Sequence, residues 1–302
     1  MSEWAAEAVV DCELARRLIR SQFRDLSASR VDPVGDGWDV TVFRVDERWL
    51  FRFPRRSIVL PGLRREIAVL PLLAPRLPVG IPVTVFVGEP TSEFPFPFVG
   101  ARYLPGQELG ADEQTAVADL GVELGRFLRM LHGIDPADVA GGDLPLDPLG
   151  RGEMAKRVPL TLSRLDDLAS AGIWSAPGGI RELVRSTIEL PRARSRTILH
   201  GDLHFRQILV KRGRLSGVVD WIDICQGDPA IDLAVYWALI GPADRQRFRV
   251  AYGPIGTAEL RRARVLAFYL WGSVALQAHE QGCATIEREA IAGLNRASDP
   301  PA

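Results

Sequence analysis

Residues 197–234, TILHGDLHFRQILVKRGRLSGVVDWIDICQGDPAIDLA, contain the side chains best suited to chemistry. Two short apolar runs flank residues 211–214, a pattern typical of a strand–turn–strand hairpin. Asp202 precedes this hairpin, and Asp220 and Asp223 follow it. Because a hairpin brings its two open ends together, these carboxylates could lie at one end of it. Such an arrangement suits a carboxylate that activates a hydroxyl beside a divalent cation held by oxygen ligands.

The motifs in this segment resemble the signature of a known family. HGDLHFRQ, then VVDW, then GDPAIDLA are similar in order and spacing to the aminoglycoside and macrolide phosphotransferases, which share the protein-kinase-like fold. Upstream, GDGWDVTVFRV resembles that family's nucleotide loop, WLFRFP its third strand and FPFPFVGARYLPG its hinge. The resemblance covers most of the chain, and it implies transfer of a phosphoryl group.

The resemblance implies roles for five residues near the hairpin. Asp202 would accept the proton of an acceptor hydroxyl or orient that hydroxyl, and Asp220 would bind Mg²⁺ that bridges the nucleotide phosphates. Gln207 stands where the family usually has an Asn ligand to a second metal ion. Gln keeps the amide oxygen but adds a methylene, so it would either still bind the ion or lose that contact. His200 is expected to brace the loop rather than transfer protons. Asp232 resembles an acid at a helix start that pins the catalytic loop through backbone amides.

Two glycines and one ion pair are the candidates for phosphate binding. Gly35 and Gly37 would let backbone amides approach a phosphate, although an ordinary hairpin turn would also explain them. Arg52 occupies the position where many relatives carry Lys, and Glu66 is placed to be its carboxylate partner. A guanidinium can pair with both a carboxylate and a phosphate, so Arg52 is a candidate phosphate ligand or, alternatively, part of a structural pair.

The nucleotide base and the acceptor are less well defined. The stretch from Arg102 to Leu104 would offer backbone groups to a purine, or else serve only as an interdomain linker. Backbone pairing does not distinguish ATP from GTP. On the acceptor side, Asp223 and Glu280 could supply negative charge for a cationic sugar, and Trp271 a flat apolar surface. Packing or surface roles remain alternatives for each of these three.

The pattern of elements predicts an α+β, protein-kinase-like fold with two lobes. Residues 1–104 are expected to form a nucleotide-binding lobe, an antiparallel sheet with a helix, and residues 105–302 a larger, mainly helical lobe with the catalytic and substrate sites. The hinge is placed at about 99–105. Within these lobes the sequence predicts the following features: a helix over 9–23 with Asp11 as N-cap, a turn at 46–48, a helix over 63–77 stopped by Pro71 or Pro75, a helix over 112–132, a loop over 133–160, helices within 161–190, 230–250 and 257–283, and a frayed tail.

Composition excludes several classes of protein. Lys and Arg number 37 against 38 Asp and Glu, so there is no basic balance of the kind that nucleic-acid binders show. No apolar run approaches about 20 residues, the start of the chain lacks a signal-peptide pattern, and the three cysteines are far apart. We therefore expect a cytoplasmic protein with no nucleic-acid or membrane partner.

The sequence thus predicts a small-molecule O-phosphotransferase that uses ATP or GTP with Mg²⁺ and acts on a hydroxylated antibiotic, either an aminoglycoside or a macrolide. Two alternatives stay open. One is a kinase of a primary metabolite such as homoserine or choline. The other is a catalytically weak, kinase-like protein that binds or sequesters its ligand, and the departures at Arg52 and Gln207 motivate it.

Overall fold

A computed structural model describes residues 6–36, 39–110, 119–139, 144–191, 193 and 196–300. The chain forms two compact units, which are described separately. The first comprises Met1–Pro75 and Ile81–Leu104, and the second comprises Arg76–Gly80 and Pro105–Ala302. No helix among the described residues is long and apolar enough to cross a membrane.

The first unit is built on an antiparallel sheet of five strands in the order β1-β2-β3-β5-β4. Alternate residues of the central strands carry aromatic rings to one face, where Phe51, Phe53 and Phe98 are fully buried and Phe53 stacks on Phe98. This aromatic core holds the sheet and the helix that packs on it. The elements are α1 (Cys12–Gln22), β1 (Val31–Asp36), β2 (Val40–Val45), β3 (Trp49–Pro54), α2 (Leu60–Leu73), β4 (Thr84–Gly88) and β5 (Phe98–Arg102).

Helix α1 and the β2–β3 turn form as the sequence predicts. The Asp11 side chain accepts a hydrogen bond from the Leu14 N–H, which caps the helix, and Leu18 and Ile19 are buried against the sheet. In the turn, Asp46 and Glu47 both have positive φ, a conformation that short hairpin connections require and that Asp tolerates well. Both predictions are confirmed.

Helix α2 begins before the predicted stretch of 63–77 and ends between Pro71 and Pro75, the two prolines expected to stop it. It begins at Leu60, with Pro61 in the first turn, where proline costs no hydrogen bond. It continues through Pro71 and ends at Leu73, and a single 3₁₀ turn containing Pro75 follows. Pro71 does not stop the helix because it lies in the last turn, where only one backbone bond is lost before the helix ends.

The second unit is mainly helical and carries short strands near its chemistry-bearing segment. Its core is formed around α8, whose buried side chains include Phe268 and Trp271. The elements are β6 (Gln107–Glu108), α3 (Leu120–His132), α4 (Met154–Ser170), α5 (Ile180–Arg185), β7 (Thr197–Leu199), β8 (Ile208–Lys211), β9 (Arg214–Val218), β10 (Cys225–Gly227), α6 (Ala234–Ala238), α7 (Arg245–Tyr252), α8 (Thr257–Glu280) and α9 (Ala284–Ser298).

The structure of this unit differs from the predictions in one loop and shows one helix that was not predicted. The loop expected over 133–160 ends earlier, because α4 starts at Met154 and buries Val158 and Thr161 despite the proline between them. The helix predicted over 112–132 is seen from Leu120, and residues 111–118 lie outside the described part of the chain. Helix α9 was not predicted. It packs on α8 through small residues such as Gly293, which contacts the Trp271 ring.

Candidate active site

Strand pairing in the second unit brings the predicted acidic residues together. β7 and β10 are antiparallel, with Leu199 opposite Cys225, so the residues after β7 lie beside those before β10. Gly201 and Asp223 are in direct contact across this junction, since a Cβ on Gly201 would lie 2.4 Å from the Asp223 carbonyl oxygen. Gly201 also has φ of +90°, which a side chain would strain. Glycine therefore lets the loop that carries Asp202 approach the segment that carries Asp223.

Asp232 fixes the backbone of this loop. Its carboxylate is fully buried and accepts hydrogen bonds from the N–H groups of His200 (2.8 Å) and Gly201 (2.9 Å). The His132 Nε2, on α3, lies 3.2 Å from the same carboxylate. Burial alone would raise the pKa of Asp232, but its hydrogen bonds and the nearby histidines lower it. The predicted bracing role is confirmed, and His132 is an added member that the sequence did not reveal.

His200 connects the two acidic segments. Its Nδ1 accepts from the Asp202 N–H at 3.3 Å, so Nε2 carries the proton and donates to the Val219 carbonyl at 2.9 Å. The ring also packs on Trp221. With both ring nitrogens occupied, His200 has no free nitrogen for proton transfer, and the predicted bracing role is confirmed.

Asp202 is a partly buried carboxylate surrounded by other acids. Its side chain is 30% exposed. Burial raises its pKa to about 6, the Arg151 guanidinium opposes that rise, and the carboxylates of Asp223 and Asp220 add to it. The mutual influence of these three acids reflects their proximity. The His204 Nε2 lies 4.0 Å from the Asp202 carboxylate, but burial lowers the pKa of His204 to about 3, so that ring is neutral.

Asp220 and Gln207 offer oxygen atoms that suit a metal ion. The backbone of Gln207 accepts from the Val219 N–H at 2.9 Å, which places Gln207 beside Asp220. Asp220 is exposed and has φ of +64°, a sparsely populated conformation often found at functional sites. Among the described residues, the buried Oε1 of Gln207 has no hydrogen-bond partner. An unsatisfied buried oxygen next to an exposed carboxylate fits a hard cation.

Asp220 and Gln207 can hold a metal ion only if other ligands complete its coordination. The described residues contain no group of three His, Cys, Asp or Glu side chains able to hold a metal. Mg²⁺ does not require such a group, because it usually binds one or two protein carboxylates together with phosphates and water.

In the first unit, Arg52 and Glu66 form the predicted ion pair. The guanidinium NH1 and NH2 lie 3.1 and 2.5 Å from the two carboxylate oxygens, and Glu66 is fully buried. Gly35 lies at a β-bulge in β1, where an added Cβ would meet no atom within 4 Å. Gly37 lies outside the described residues.

The two hinge candidates are at the end of the first unit. Arg102 ends β5 and lies over the Trp49 ring at 5.4 Å from its centroid, and Leu104 is the last residue of the unit.

Comparison with known proteins identifies the family. Residues 30–266 match the model of the phosphotransferase enzyme family. The chain belongs to this family. The phosphotransferase is also 25% identical over 254 residues to the uncharacterized protein YcbJ of Bacillus subtilis (strain 168), covering 79% of this chain and 80% of that protein.

Solved structures confirm the kinase-like fold. The GDP complex of aminoglycoside 2'-phosphotransferase-IIIa matches with a TM-score of 0.70 and 22% identity over 96% of this chain and 99% of that chain. The GDP and kanamycin complex of APH(2")-IIIa matches at 0.68 and 22%, covering 94% and 97%. Macrolide 2'-phosphotransferase MphH from Brachybacterium faecium, as apoenzyme, matches at 0.65 and 23%, covering 97% and 99%.

The three predicted acceptor-side residues of the phosphotransferase have different surroundings. Asp223 lies in the acidic cluster, where its carboxylate is 2.7 Å from the Arg151 guanidinium. Trp271 is fully buried against His204, Phe205 and Gly293, so it has no exposed ring face, and packing accounts for it better than the substrate contact that the sequence suggested. Glu280 is exposed at the last residue of α8.

Arg151 is a second site residue that sequence reasoning missed, after His132. It lies in the loop before α4, and one guanidinium nitrogen contacts both Asp223 (2.7 Å) and Asp202 (3.4 Å). Burial lowers its pKa, but the two carboxylates more than offset this and raise it. The backbone N–H groups of Arg151 and Gly152 donate to the Asp147 carboxylate, which fixes the loop. No local pattern marks this residue, because its partners lie more than fifty positions away.

Proposed function

We propose that this phosphotransferase moves the γ-phosphate of ATP or GTP to a hydroxyl of a small molecule. The observation that carries the proposal is the position of Asp202. Its loop is held by buried hydrogen bonds to Asp232, and its carboxylate lies among the acids at 220 and 223. An enzyme of this kind works mainly by positioning the reacting groups and stabilising charge, so a rigid loop is the feature that the reaction needs.

Asp202 is proposed to orient the acceptor hydroxyl and to accept its proton. With a pKa of about 6, most Asp202 side chains are ionised at neutral pH and able to accept a proton. Its partial exposure leaves the carboxylate accessible to an acceptor from solvent. His200 and Asp232 take no proton in this scheme. They keep the Asp202 backbone in place through the contacts described above.

Asp220 and Gln207 are proposed to hold Mg²⁺. When bound, the ion would neutralise negative charge on the nucleotide phosphates. The orphaned Oε1 of Gln207 supports this assignment, because a ligand there would satisfy a buried oxygen that lacks a described partner. In the first unit, Arg52 is proposed to contact phosphate while Glu66 holds its guanidinium. Gly35, with open space above its Cα, would let the backbone approach the nucleotide. Arg102 and Leu104 would lie near the purine.

The acceptor proposed first is an antibiotic with hydroxyl groups. This rests on structural relatives described as complexes with GDP and kanamycin and as a macrolide 2'-phosphotransferase, and on the sequence motifs shared with such enzymes. The alternative of a sequestering protein is motivated by the departures at Arg52 and Gln207. For Gln207, the unsatisfied oxygen favours a working metal ligand instead.

The test is a screen for nucleotide consumption with Mg²⁺-ATP and Mg²⁺-GTP over aminoglycosides, macrolides and amino alcohols. With an active acceptor, Asp202→Asn should lower kcat by about 10²- to 10⁴-fold, the usual contribution of a catalytic base. Asp166→Asn, a 65% exposed carboxylate on α4, is the matched control and should leave kcat unchanged. Asp220→Ala should abolish the Mg²⁺-dependent protection of the fold by nucleotide in a thermal-shift assay.

Unchanged kcat in the Asp202 variant would remove that residue from the mechanism. Intact metal-dependent protection in the Asp220 variant would contradict the metal assignment. Tight binding of an acceptor by the wild type without any nucleotide consumption would favour sequestration.

A further inference from the structure

The guanidinium of Arg151 lies within the cluster that the proposed acceptor must approach. The same nitrogen contacts the carboxylates of Asp202 and Asp223, and the Arg151 side chain is only 19% exposed. The backbone contact between Gly201 and Asp223 fixes these two acids on either side of it. A molecule whose hydroxyl reaches Asp202 therefore also comes close to Arg151 and Asp223.

The charges in this cluster do not sum to a strongly acidic surface. The proposed metal ligand Asp220 would face the cation, and the Asp147 carboxylate is taken up by the N–H groups of Arg151 and Gly152. The Arg206 side chain pairs with Glu108. Among the described residues that contact Arg151, what remains on the acceptor side is the pair of carboxylates of Asp202 and Asp223, which share one guanidinium. Their combined charge is close to that of a single carboxylate.

We propose that Arg151 sets the class of acceptor, so that this site takes a hydroxylated molecule carrying no more than one positive charge and disfavours polyamines. The proposal rests on the function proposed above. A polyamine gains affinity from several unpaired carboxylates, whereas a guanidinium inside the cluster repels it and already contacts one oxygen of each carboxylate. A neutral or monoamino acceptor loses little from the same guanidinium. Arg151 thus acts as a specificity-determining residue through charge.

A purely structural role for Arg151 would have a different signature. Its loop is already held by the backbone bonds to Asp147, so the side chain is not the only tie between the loop and the core. If Arg151 only anchored the loop, its replacement would change activity toward all acceptors in the same proportion. A charge-based role changes the ratio between acceptors of different charge and acts mainly on KM.

The experiment compares kcat and KM for kanamycin, a polyamine, with those for a macrolide that carries a single amino group, at fixed ionic strength. The wild type should favour the macrolide. Arg151→Gln should raise the kanamycin-to-macrolide ratio of kcat/KM at least about tenfold, mostly through a lower KM for kanamycin, because the two carboxylates lose their shared cation. Arg151→Lys, which keeps the positive charge, should stay near the wild-type ratio. Arg185→Gln, an exposed arginine on α5, makes the same change in net charge and should leave the ratio unchanged.

Asp223→Asn tests the same inference without removing Arg151. It deletes one carboxylate from the cluster and should lower the kanamycin-to-macrolide ratio. This variant decides the matter if Arg151→Gln proves unfolded by circular dichroism. The inference is overturned if the wild type prefers kanamycin, if folded Arg151→Gln keeps the wild-type ratio, or if Asp223→Asn fails to lower it.

A binding measurement separates failure of this inference from failure of the proposed function. If no acceptor is phosphorylated by the wild type, the proposed function fails, and charge selection is then read from thermal shift with kanamycin alone. Kanamycin should stabilise the Arg151→Gln variant more than the wild type. Equal shifts in the two proteins would overturn the inference as well.

Discussion

Replacing Asp202 with Asn should stabilise the metal-free protein at neutral pH while lowering its activity. The pKa of Asp202 is raised in the fold, from its ordinary value of 3.8 to about 6, first by burial and then by the neighbouring Asp223 and Asp220. The fold therefore prefers the protonated acid. The stability that this preference contributes is fully present below pH 3.8 and is lost as the pH rises through about 6. An asparagine has the same shape and carries no charge at any pH.

The size of the effect follows from the same values. A pKa difference of 1 corresponds to about 1.4 kcal/mol, so the rise from 3.8 to about 6 corresponds to about 3 kcal/mol at full ionisation. Solvent reaches 30% of the side chain, which reduces this figure, and about 2 kcal/mol is expected. The variant should gain this amount relative to the wild type between pH 4 and pH 7.5.

The assay is urea denaturation in EDTA at several pH values, with the wild type and the variant side by side. Asp46→Asn is the contrasting variant. Burial alone would raise the pKa of Asp46, but hydrogen bonds from the Arg30 N–H and the hydroxyls of Ser27 and Ser29 hold it below its usual range. That carboxylate contributes stability at neutral pH that is lost as the pH falls, so its variant should show the opposite trend. A pH-independent difference for Asp202→Asn would refute the reasoning.

Two further substitutions separate bracing and packing from chemistry. Asp232→Ala leaves the buried N–H groups of His200 and Gly201 without their acceptor, which costs about 1–3 kcal/mol for each group. Both the unfolding free energy and kcat should therefore fall. A wild-type kcat in a folded variant would show that the loop does not need this brace. Trp271→Ala removes a fully buried ring and should cost about 3–5 kcal/mol by urea denaturation, whereas a substrate-contact role would raise KM and leave stability intact.

The parts of the site that could be predicted are those that depend on the local sequence. The β8–β9 hairpin follows from two short apolar runs around a turn, and the acids on either side of it meet because hairpin ends meet. The pairing of Arg52 with Glu66 is implied by the resemblance of WLFRFP and the helix after it to the family, and the structure shows the pair. The hairpin needs only short-range pattern and strand geometry to place its side chains.

The parts that could not be predicted depend on long-range contacts. Arg151 lies in a segment rich in Gly, Pro and Asp that has no periodicity, and its role exists only because the fold brings Asp223 to it. For Trp271 the sequence left packing and substrate contact as alternatives, because α8 is buried on several faces and the pattern around this residue gives no measure of its exposure. Helix α9 is similar, since three of its four buried residues are small: Ala290, Gly293 and Ala297, beside Leu294.

The geometry of the loop that carries Asp202 does not depend on the charge of Asp202 itself. The loop is held by the N–H groups of His200 and Gly201 on Asp232, and by the Asp202 N–H on the His200 ring. None of these bonds uses the Asp202 side chain. The surroundings of the carboxylate instead disfavour its ionised form. Buried hydrogen bonds elsewhere in the loop offset the free-energy cost of this placement. For this reason Asp202→Asn changes the charge of the side chain while leaving the position of the loop unchanged. A purely structural role for Asp202 would not produce a loss of turnover in a more stable protein.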